Sequence, residues 1–297
     1  MCRVITSTDA KNEADDQFAI VQTMLSPRFD NIGYIAAHFG TRKSEDSMMD
    51  SFRELELVFD KMGFPKEKLL FKGAPTAIPD KFTPVDSEGA RLIIKESMKD
   101  DPRKLYITFM GPITDLASAY LIEPRIAGRL TAIWIGGGSY PNGNPEFNLS
   151  NDIHAANVVF ESTLDIWQVP SNVYQMVTVS FAELEARLYG KGEIGKYLLD
   201  QLIEHSFEEG PRNHSFRTGE SWVLGDNPSV GLILYEHHCS YDWIPAPLIS
   251  SDMTYIHTGK NRPIRVYKSV DSRLILEDMF SKIELFHRRY PNGLNKG

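Results

Sequence analysis

Short apolar runs alternate with longer amphipathic segments along the first 180 residues of the chain. In Ser44–Met62, for example, Met48, Phe52 and Leu55 recur at helical spacing and share one face. Runs rich in β-branched and aromatic residues predict strands at Arg3–Thr6, Ile32–Ala37, Leu69–Phe71, Leu105–Phe109, Thr131–Ile135, Ile166–Val169 and Val173–Val179. Helices are predicted at Asp15–Leu25, Ser44–Met62, Glu88–Met98, Ile113–Ile122 and Asp152–Glu161. This alternation predicts an α/β fold with a mostly parallel central sheet and helices on both faces.

The pattern changes after Ser180, where helical spacing predominates. Helices are predicted at Ile194–His205 and Val230–Tyr235. The polar stretch Glu208–Arg217 between them predicts a loop. No segment has the composition of an interdomain linker, so residues 1–297 are predicted to form one domain.

Ligands of open parallel sheets bind in the crevice beyond the carboxyl ends of the strands. Four segments directly follow predicted strands and therefore carry the candidate chemistry. They are Thr8–Asp16, His38–Thr41, Met110–Thr114 and Gly136–Asn148.

The first of these segments is strongly acidic, with Asp9, Glu13, Asp15 and Asp16 within eight positions. Helix capping accounts for one aspartate at a helix start, but it leaves the convergence of three unexplained. Carboxylates at close range repel one another, so the cluster favours a bound hard cation, Ca²⁺ more than Mg²⁺. An EF-hand loop fits poorly, because Lys11 stands at a ligand position and the required glycine is missing.

The amino-acid composition limits the classes of partner and the cellular compartments that we expect for this protein. The chain has 297 residues, 42% of them hydrophobic, and a formal net charge of -8, which argues against nucleic acid as a partner. No apolar run approaches the length of a membrane span, and the first ten residues do not read as a signal peptide. Two cysteines form no disulfide framework, and we expect a cytoplasmic protein.

Several motifs resemble those of the nucleoside hydrolase superfamily. "TDAKNEADDQFAI" resembles the family's Asp-x-Asp-Pro-Gly-x-Asp-Asp motif, which an apolar helix follows. Three further segments resemble its later motifs and keep their order, and "GAPTAIP" at Gly73–Pro79 matches more weakly. The three are "GPITDLASAYLIEPRI" at Gly111–Ile126, "GGGSYPNGNPEFNLSNDIHAANVVF" at Gly136–Phe160 and "GDNPSV" at Gly225–Val230.

The resemblance implies a calcium-dependent enzyme that hydrolyses the N-glycosidic bond of a ribonucleoside or a related ribosyl compound. The implied calcium ligands are Asp9, Asp16, Asp226 and the main-chain carbonyl of Met110. Asp9 would also act as the general base toward a calcium-bound water. The implied sugar-binding residues are Asp15, Asn144, Glu146, Asn148 and Asp226. The resemblance further implies a homodimer or homotetramer.

The sequence departs from the family pattern in three places. The turn from Asp9 to Asp15 is two residues longer, so Asn12 or Glu13 can enter the site. The segment between Asn144 and Glu146 is shorter, which weakens the assignment of Asn144. Gly225 stands where many members carry the histidine that protonates the departing base.

Two residues are candidates to replace that histidine. Trp222 could stack on the base and ease its protonation from solvent, although tryptophan is more often buried in a core. His38 could donate the proton, although a histidine there is more often a hydrogen-bonded loop residue. Because Gly225 removes the expected acid, a ribose- or nucleoside-binding protein without efficient turnover remains the alternative function.

Overall fold

The computed structural model describes residues 1–209 and 219–294. Its helices are α1 Asp16–Met24, α2 Ser47–Met62, α3 Glu88–Ser97, α4 Thr114–Ile122, α5 Phe147–Asn151, α6 Ile153–Glu161, α7 Ser171–Tyr174, α8 Phe181–Leu188, α9 Gly192–Glu209, α10 Asn227–Tyr235 and α11 Ser272–Arg289. The strands are β1 Cys2–Thr8, β2 Phe29–Ala36, β3 Leu70–Lys72, β4 Leu105–Phe109, β5 Thr131–Ile135, β6 Asp165–Val169, β7 Thr178–Ser180, β8 Ser221–Val223, β9 Ser240–Pro245, β10 Leu248–Ile249, β11 Tyr255–Ile256 and β12 Pro263–Ser269.

The central sheet has the order β3-β2-β1-β4-β5-β6-β12-β9, eight strands among the described residues. Every neighbouring pair is parallel except β12 and β9, which pair antiparallel at one edge. All five residues of β4 are buried, because helices cover both faces of the sheet. The predicted α/β class, with its mostly parallel sheet, is confirmed.

Apolar side chains form one core layer on each face of the sheet. On one face, Phe18 of α1 and Val58 of α2 belong to the same buried cluster as Ile283 of α11. On the other, Leu116 of α4 and Val159 of α6 pack in a second cluster. None of the helices within residues 1–209 and 219–294 combines the length and apolar character needed to span a bilayer.

One predicted strand is wrong. Val173–Val179 was expected to be extended, but its first residues belong to the short helix α7 and only the last two to β7. Pro170 starts that helix, and the amides of Val173 and Tyr174 donate to its carbonyl. Val173, Val177 and Val179 are all buried, so the buried valines that suggested one strand belong to the helix, to the turn after it and to β7.

The region after Ser180 contributes more strand than its sequence suggests. Strands β12 and β9 complete the main sheet, and α11 covers it, although none of the three was predicted. In β12 the buried Ile264 and Val266 alternate with Arg265, whose charge masks the pattern. Helix α9 continues to Glu209, and the rest of the predicted loop Glu208–Arg217 lies outside the described residues.

Asp152 joins the start of α6 to the start of α4 and to the segment that contains Ile78. Its Oδ1 accepts a hydrogen bond from the Ala155 amide at 2.8 Å and so caps α6. Its Oδ2 accepts from the Ile78 amide at 2.9 Å and from the Thr114 hydroxyl at 2.8 Å.

We expect Asp152→Ala to lower the free energy of unfolding by about 3 kcal/mol, measured by urea denaturation. The substitution removes a helix cap and leaves two buried donors without an acceptor, each at about 1 kcal/mol. Asp271→Ala is the matched control, because Asp271 caps α11 through the Leu274 amide alone, and its loss should cost about 1 kcal/mol. Equal losses for the two variants would contradict this account.

Candidate active site

A cavity of about 410 Å³ opens at the carboxyl ends of the parallel strands. Among the described residues, six carboxylates line it: Asp9, Glu13, Asp15, Asp16, Glu146 and Asp226. They come from the turn after β1, the segment after β5 and the start of α10. Met110, Asn144 and Asn148 also line the cavity, so segments far apart in sequence meet there.

Three of these aspartates form a tight group. Asp15, Asp16 and Asp226 each offer a carboxylate oxygen, and these oxygens lie within 4.8 Å of one another. Asp16 accepts a short hydrogen bond from the Thr8 hydroxyl, while Asp15 Oδ2 accepts from the Gly225 amide at 2.9 Å. All three side chains are buried, so little water screens their mutual repulsion.

Asp9 lies beside this group rather than within it. Its side chain is 1% exposed, and its Oδ2 has no hydrogen-bond partner among the described residues. Gly111 leaves room for it, because a Cβ at that position would stand 2.8 Å from Asp9 Cγ. A buried carboxylate oxygen with no partner is costly, so Asp9 Oδ2 is a candidate atom for binding a ligand.

The pKa values of the cluster are displaced by burial and by repulsion. Burial, followed by the charge of Asp16, raises the pKa of Asp9 well above its ordinary value. Burial, followed by the charge of Asp15, does the same for Asp16 and Asp226. Burial also raises the pKa of Asp15 to about 6, and burial with Asp15 raises that of Glu13 to about 8.

The donor set fits a hard divalent cation. The carboxylate triad, the orphaned Asp9 Oδ2 and the main-chain carbonyl of Met110 are all oxygen donors at one end of the sheet. A cation there would remove the repulsion that raises the pKa values of these side chains.

The polar residues opposite this group are held by hydrogen bonds. Glu146 caps α5 and accepts from the amides of Gly137, Asn148 and Leu149, as well as from the Tyr174 hydroxyl at 3.0 Å. The Asn148 side-chain amide donates to the carbonyls of Met110 and Ile135 at 3.3 and 2.9 Å. These contacts fix both side chains before any ligand arrives.

Asn144 also reaches the cavity, but its amide serves the turn that carries it. Its Oδ1 accepts from the Ser139 amide at 2.7 Å, and its Nδ2 donates to the Pro145 carbonyl.

His38 does not line the cavity, contrary to expectation. It is 1% exposed, and burial lowers its pKa to about 4, so the ring is neutral at pH 7. The Gly40 amide donates to Nδ1 at 3.2 Å, which places the ring proton on Nε2, 2.9 Å from Thr114 Oγ1. His38 is therefore a hydrogen-bonded loop residue and has no path to a departing base.

Trp222 does not line the cavity either. It belongs to β8, whose successive side chains point to opposite faces. Val223 faces the cavity, so Trp222 turns into the core, where it is 3% exposed and packs edge-on against His205 at 5.6 Å. The expectation that its ring stacks on a base is not met.

Tyr174 is a site residue that sequence reasoning missed. It lines the cavity from α7, and its Cδ2 stands 3.0 Å from where a Cβ of residue 225 would lie. The ring therefore fills the space beside Gly225. Its position was hidden because the surrounding segment reads as a strand.

Arg42 and Lys43 were missed as well. They line the cavity from the loop after β2 and are the two residues that follow the predicted segment His38–Thr41. Two adjacent basic residues shortly after a strand were a usable signal.

Comparison with known proteins shows the family of the chain. The family model described as inosine-uridine preferring nucleoside hydrolase matches residues 4–273. The chain belongs to this family. The resemblance stated from the sequence motifs is thus confirmed.

Individual family members are distant from this one. A probable uridine nucleosidase 2 of Arabidopsis thaliana is 29% identical over 125 residues, 40% of this chain and 38% of that protein. The inosine-uridine preferring nucleoside hydrolase of Leishmania major is 33% identical over 96 residues, 31% of each chain. These alignments span 38% and 31% of the relatives' length.

The fold similarity is more extensive than the sequence similarity. The solved structure of a purine-preferring ribonucleoside hydrolase from Gardnerella vaginalis superposes with a TM-score of 0.78 at 19% identity. The superposition covers 97% of this chain and 99% of that one. It confirms the open α/β fold of the family.

We predict that, in a chelator, the stability of this protein falls as the pH rises. Asp15 has an ordinary pKa of 3.8 and a folded pKa of about 6, so the folded state binds more protons between these values. Raising the pH through this range should therefore cost about 3 kcal/mol through Asp15 alone. The measurement is the unfolding free energy of wild type and Asp15→Asn at pH 4 and pH 7.

The asparagine cannot ionise. The unfolding free energy of Asp15→Asn, relative to that of wild type, should therefore rise by about the same amount when the pH is raised from 4 to 7. A difference that does not change with pH would show that Asp15 titrates normally. Excess divalent cation should reverse the wild-type loss at pH 7.

Proposed function

We propose that this protein is a calcium-dependent N-ribosyl hydrolase, which cleaves the N-glycosidic bond of a ribonucleoside and releases base and ribose. The observation that best supports this proposal is the buried carboxylate triad beside Asp9 Oδ2, which has no hydrogen-bond partner among the described residues. Glu146 and Asn148 line the same cavity. Family membership supports hydrolysis as the reaction.

Calcium is the cation that this donor set favours. Asp9, Asp16, Asp226 and the Met110 carbonyl would hold it, as the sequence predicts, and Asp15 lies near enough to share in the shell. Several carboxylates with a main-chain carbonyl suit Ca²⁺, whereas Mg²⁺ usually keeps most of its waters. When bound, the ion supplies Lewis acidity beside the sugar.

Asp9 is proposed as the general base. Its carboxylate has two oxygens, so one can hold the cation while the other accepts a proton from the attacking water, and Oδ2 has no hydrogen-bond partner among the described residues. The water oxygen bonds to the anomeric carbon as the bond from that carbon to the base nitrogen breaks.

Asp15, Glu146 and Asn148 are proposed to hold the ribose, with Asn144 at the edge and Asp226 touching both ion and sugar. Glu146 and Asn148 are already fixed by main-chain hydrogen bonds, so little entropy is lost when the substrate is oriented. Carboxylates around the ring also stabilise the positive charge that develops on the sugar during bond cleavage.

The leaving base has no histidine to protonate it at position 225. Tyr174 occupies that space, and burial raises its pKa well above 10, so its hydroxyl stays protonated. The site therefore favours leaving groups that depart readily as anions or take their proton from solvent.

The same observation favours the alternative, a ribose- or nucleoside-binding protein without efficient turnover. Incubation with inosine, adenosine, uridine and p-nitrophenyl riboside in calcium buffer separates the two. Release of base or p-nitrophenol supports the hydrolase, and turnover of the activated riboside alone indicates only a missing acid. Ribose binding without turnover of any of the four would overturn the proposed activity.

A single domain, a cytoplasmic location and a homodimer or homotetramer also remain proposals. The free thiols of Cys2 and Cys239 are consistent with a reducing compartment. Light scattering of the purified protein would distinguish the oligomeric states.

Asp9→Asn should reduce turnover of p-nitrophenyl riboside by at least about a thousandfold. The amide keeps the shape of the carboxylate but cannot accept the proton of the attacking water. Asp46→Asn, an exposed residue outside the cavity, is the matched control. Near-normal rates for Asp9→Asn, in a variant with unchanged melting temperature, would remove Asp9 from the chemistry.

Asp226→Ala should weaken calcium binding by about tenfold or more, measured by calorimetry. The substitution deletes one of three clustered carboxylates, and calcium affinity depends on the number of charged ligands. Asp80→Ala, on an exposed turn, should leave the affinity as it is. If both variants bind calcium like wild type, Asp226 is not a ligand.

A further inference from the structure

The cavity has two regions of opposite charge. The carboxylates at its base are mostly buried, whereas Arg42 and Lys43 are exposed and line the same cavity from the loop between β2 and α2. Within residues 1–209 and 219–294, these two are the basic residues that line the cavity.

Arg42 is held in place by neutral partners. Its Nη2 donates to Ser150 Oγ at 2.7 Å and to Asn151 Oδ1 at 3.0 Å, and its guanidinium lies 4.8 Å from the centre of the Phe147 ring. The three contacts tie it to α5, the helix that Glu146 caps. The guanidinium is thus positioned before a ligand binds.

No carboxylate of the described residues pairs with Arg42, and its Nε and Nη1 donate to none of them. Arg91 and Arg125 show the contrast, since each donates through both Nε and Nη2 to one carboxylate, Asp86 and Glu123. Because Nη2 of Arg42 already donates to Ser150 and Asn151, its Nε and Nη1 remain as single donors to an oxyanion. An anion on the substrate would also neutralise the charge of the guanidinium.

Lys43 adds a second positive charge at the same rim. Its Nζ donates to the Asn12 carbonyl at 2.9 Å and lies 5.6 Å from the centre of the Phe147 ring. Asn12 belongs to the lengthened acidic turn, and Glu13 of that turn also faces Lys43. Lys43 is shared with this turn, so Arg42 is the principal contact for a ligand.

We infer that Arg42, with Lys43, binds an oxyanion carried by the ribosyl substrate, a carboxylate on the base or a phosphate on the ribose. This inference rests on the proposed function and names its substrate class. A neutral nucleoside uses the carboxylates and their cation but offers no negative charge to the guanidinium. An anionic substrate uses both regions.

The test measures binding to the Asp9→Asn variant in calcium buffer, by calorimetry, so that turnover does not interfere. The ligands are uridine, orotidine, which is uridine with a carboxylate on its base, the uncharged methyl ester of orotidine, and uridine 5′-monophosphate. At least one of the two anions should bind about tenfold more tightly than uridine. Which one does so identifies whether the base or the ribose carries the charge.

Adding Arg42→Met should reduce that preference to near one, because the methionine keeps an apolar stem but offers no donors. Arg91→Met is the matched control and should leave the preference intact. Uridine binding to each variant reports that the site is folded.

Three results would overturn the inference. They are equal binding of both anions and uridine, a preference that survives Arg42→Met, and, where orotidine is the preferred anion, binding of its methyl ester as tight as that of orotidine. Failure of all four ligands to bind would overturn it as well. An anion preference in a protein that turns over no riboside would instead contradict the proposed hydrolysis while leaving this inference standing.

Discussion

Repulsion among buried carboxylates is the constraint around which this structure is arranged. Asp15, Asp16 and Asp226 bring oxygens within 4.8 Å of one another in a place that water scarcely reaches, and Asp9 lies beside them. Such a group raises the energy of the folded state unless protons or a cation neutralise it. Protonation would remove the negative charge that the proposed reaction uses. A divalent cation would neutralise the repulsion and would leave the carboxylates ionised for the proposed reaction.

The fold makes this arrangement reachable. Parallel strands end at one edge of the sheet, so the turn after β1, the carbonyl of Met110 after β4 and the segment after β5 meet there, although they are far apart in sequence. Glycine permits the closest approach, since any side chain at Gly111 would strike Asp9. Asp226 comes from the start of α10 and closes the group from the opposite side. The cavity thus has carboxylates at its bottom and positively charged side chains at its rim.

The acidic turn, Met110, Glu146, Asn148 and Asp226 could be placed at one site from the sequence, because each follows a strand or begins a helix and sits in a motif. The positions of Trp222 and His38 could not be predicted from the sequence. The direction in which a side chain points from a three-residue strand or a buried loop depends on tertiary packing. Tyr174 was hidden for a related reason: a proline-initiated helix looked like a strand when read by β-propensity. Strands β12 and β9 were missed because charged side chains interrupt their alternation. The motifs thus predicted which residues meet at the cavity better than the local pattern predicted the later strands of the sheet.

The most direct measurement is anomalous scattering from crystals grown with calcium and ribose. One strong calcium peak is expected at the tip of β1, with oxygens of the aspartate group about 2.3–2.6 Å away and ribose hydroxyls in the same shell. Absence of a peak at that position, in crystals whose sugar density is clear, would contradict the proposed calcium site.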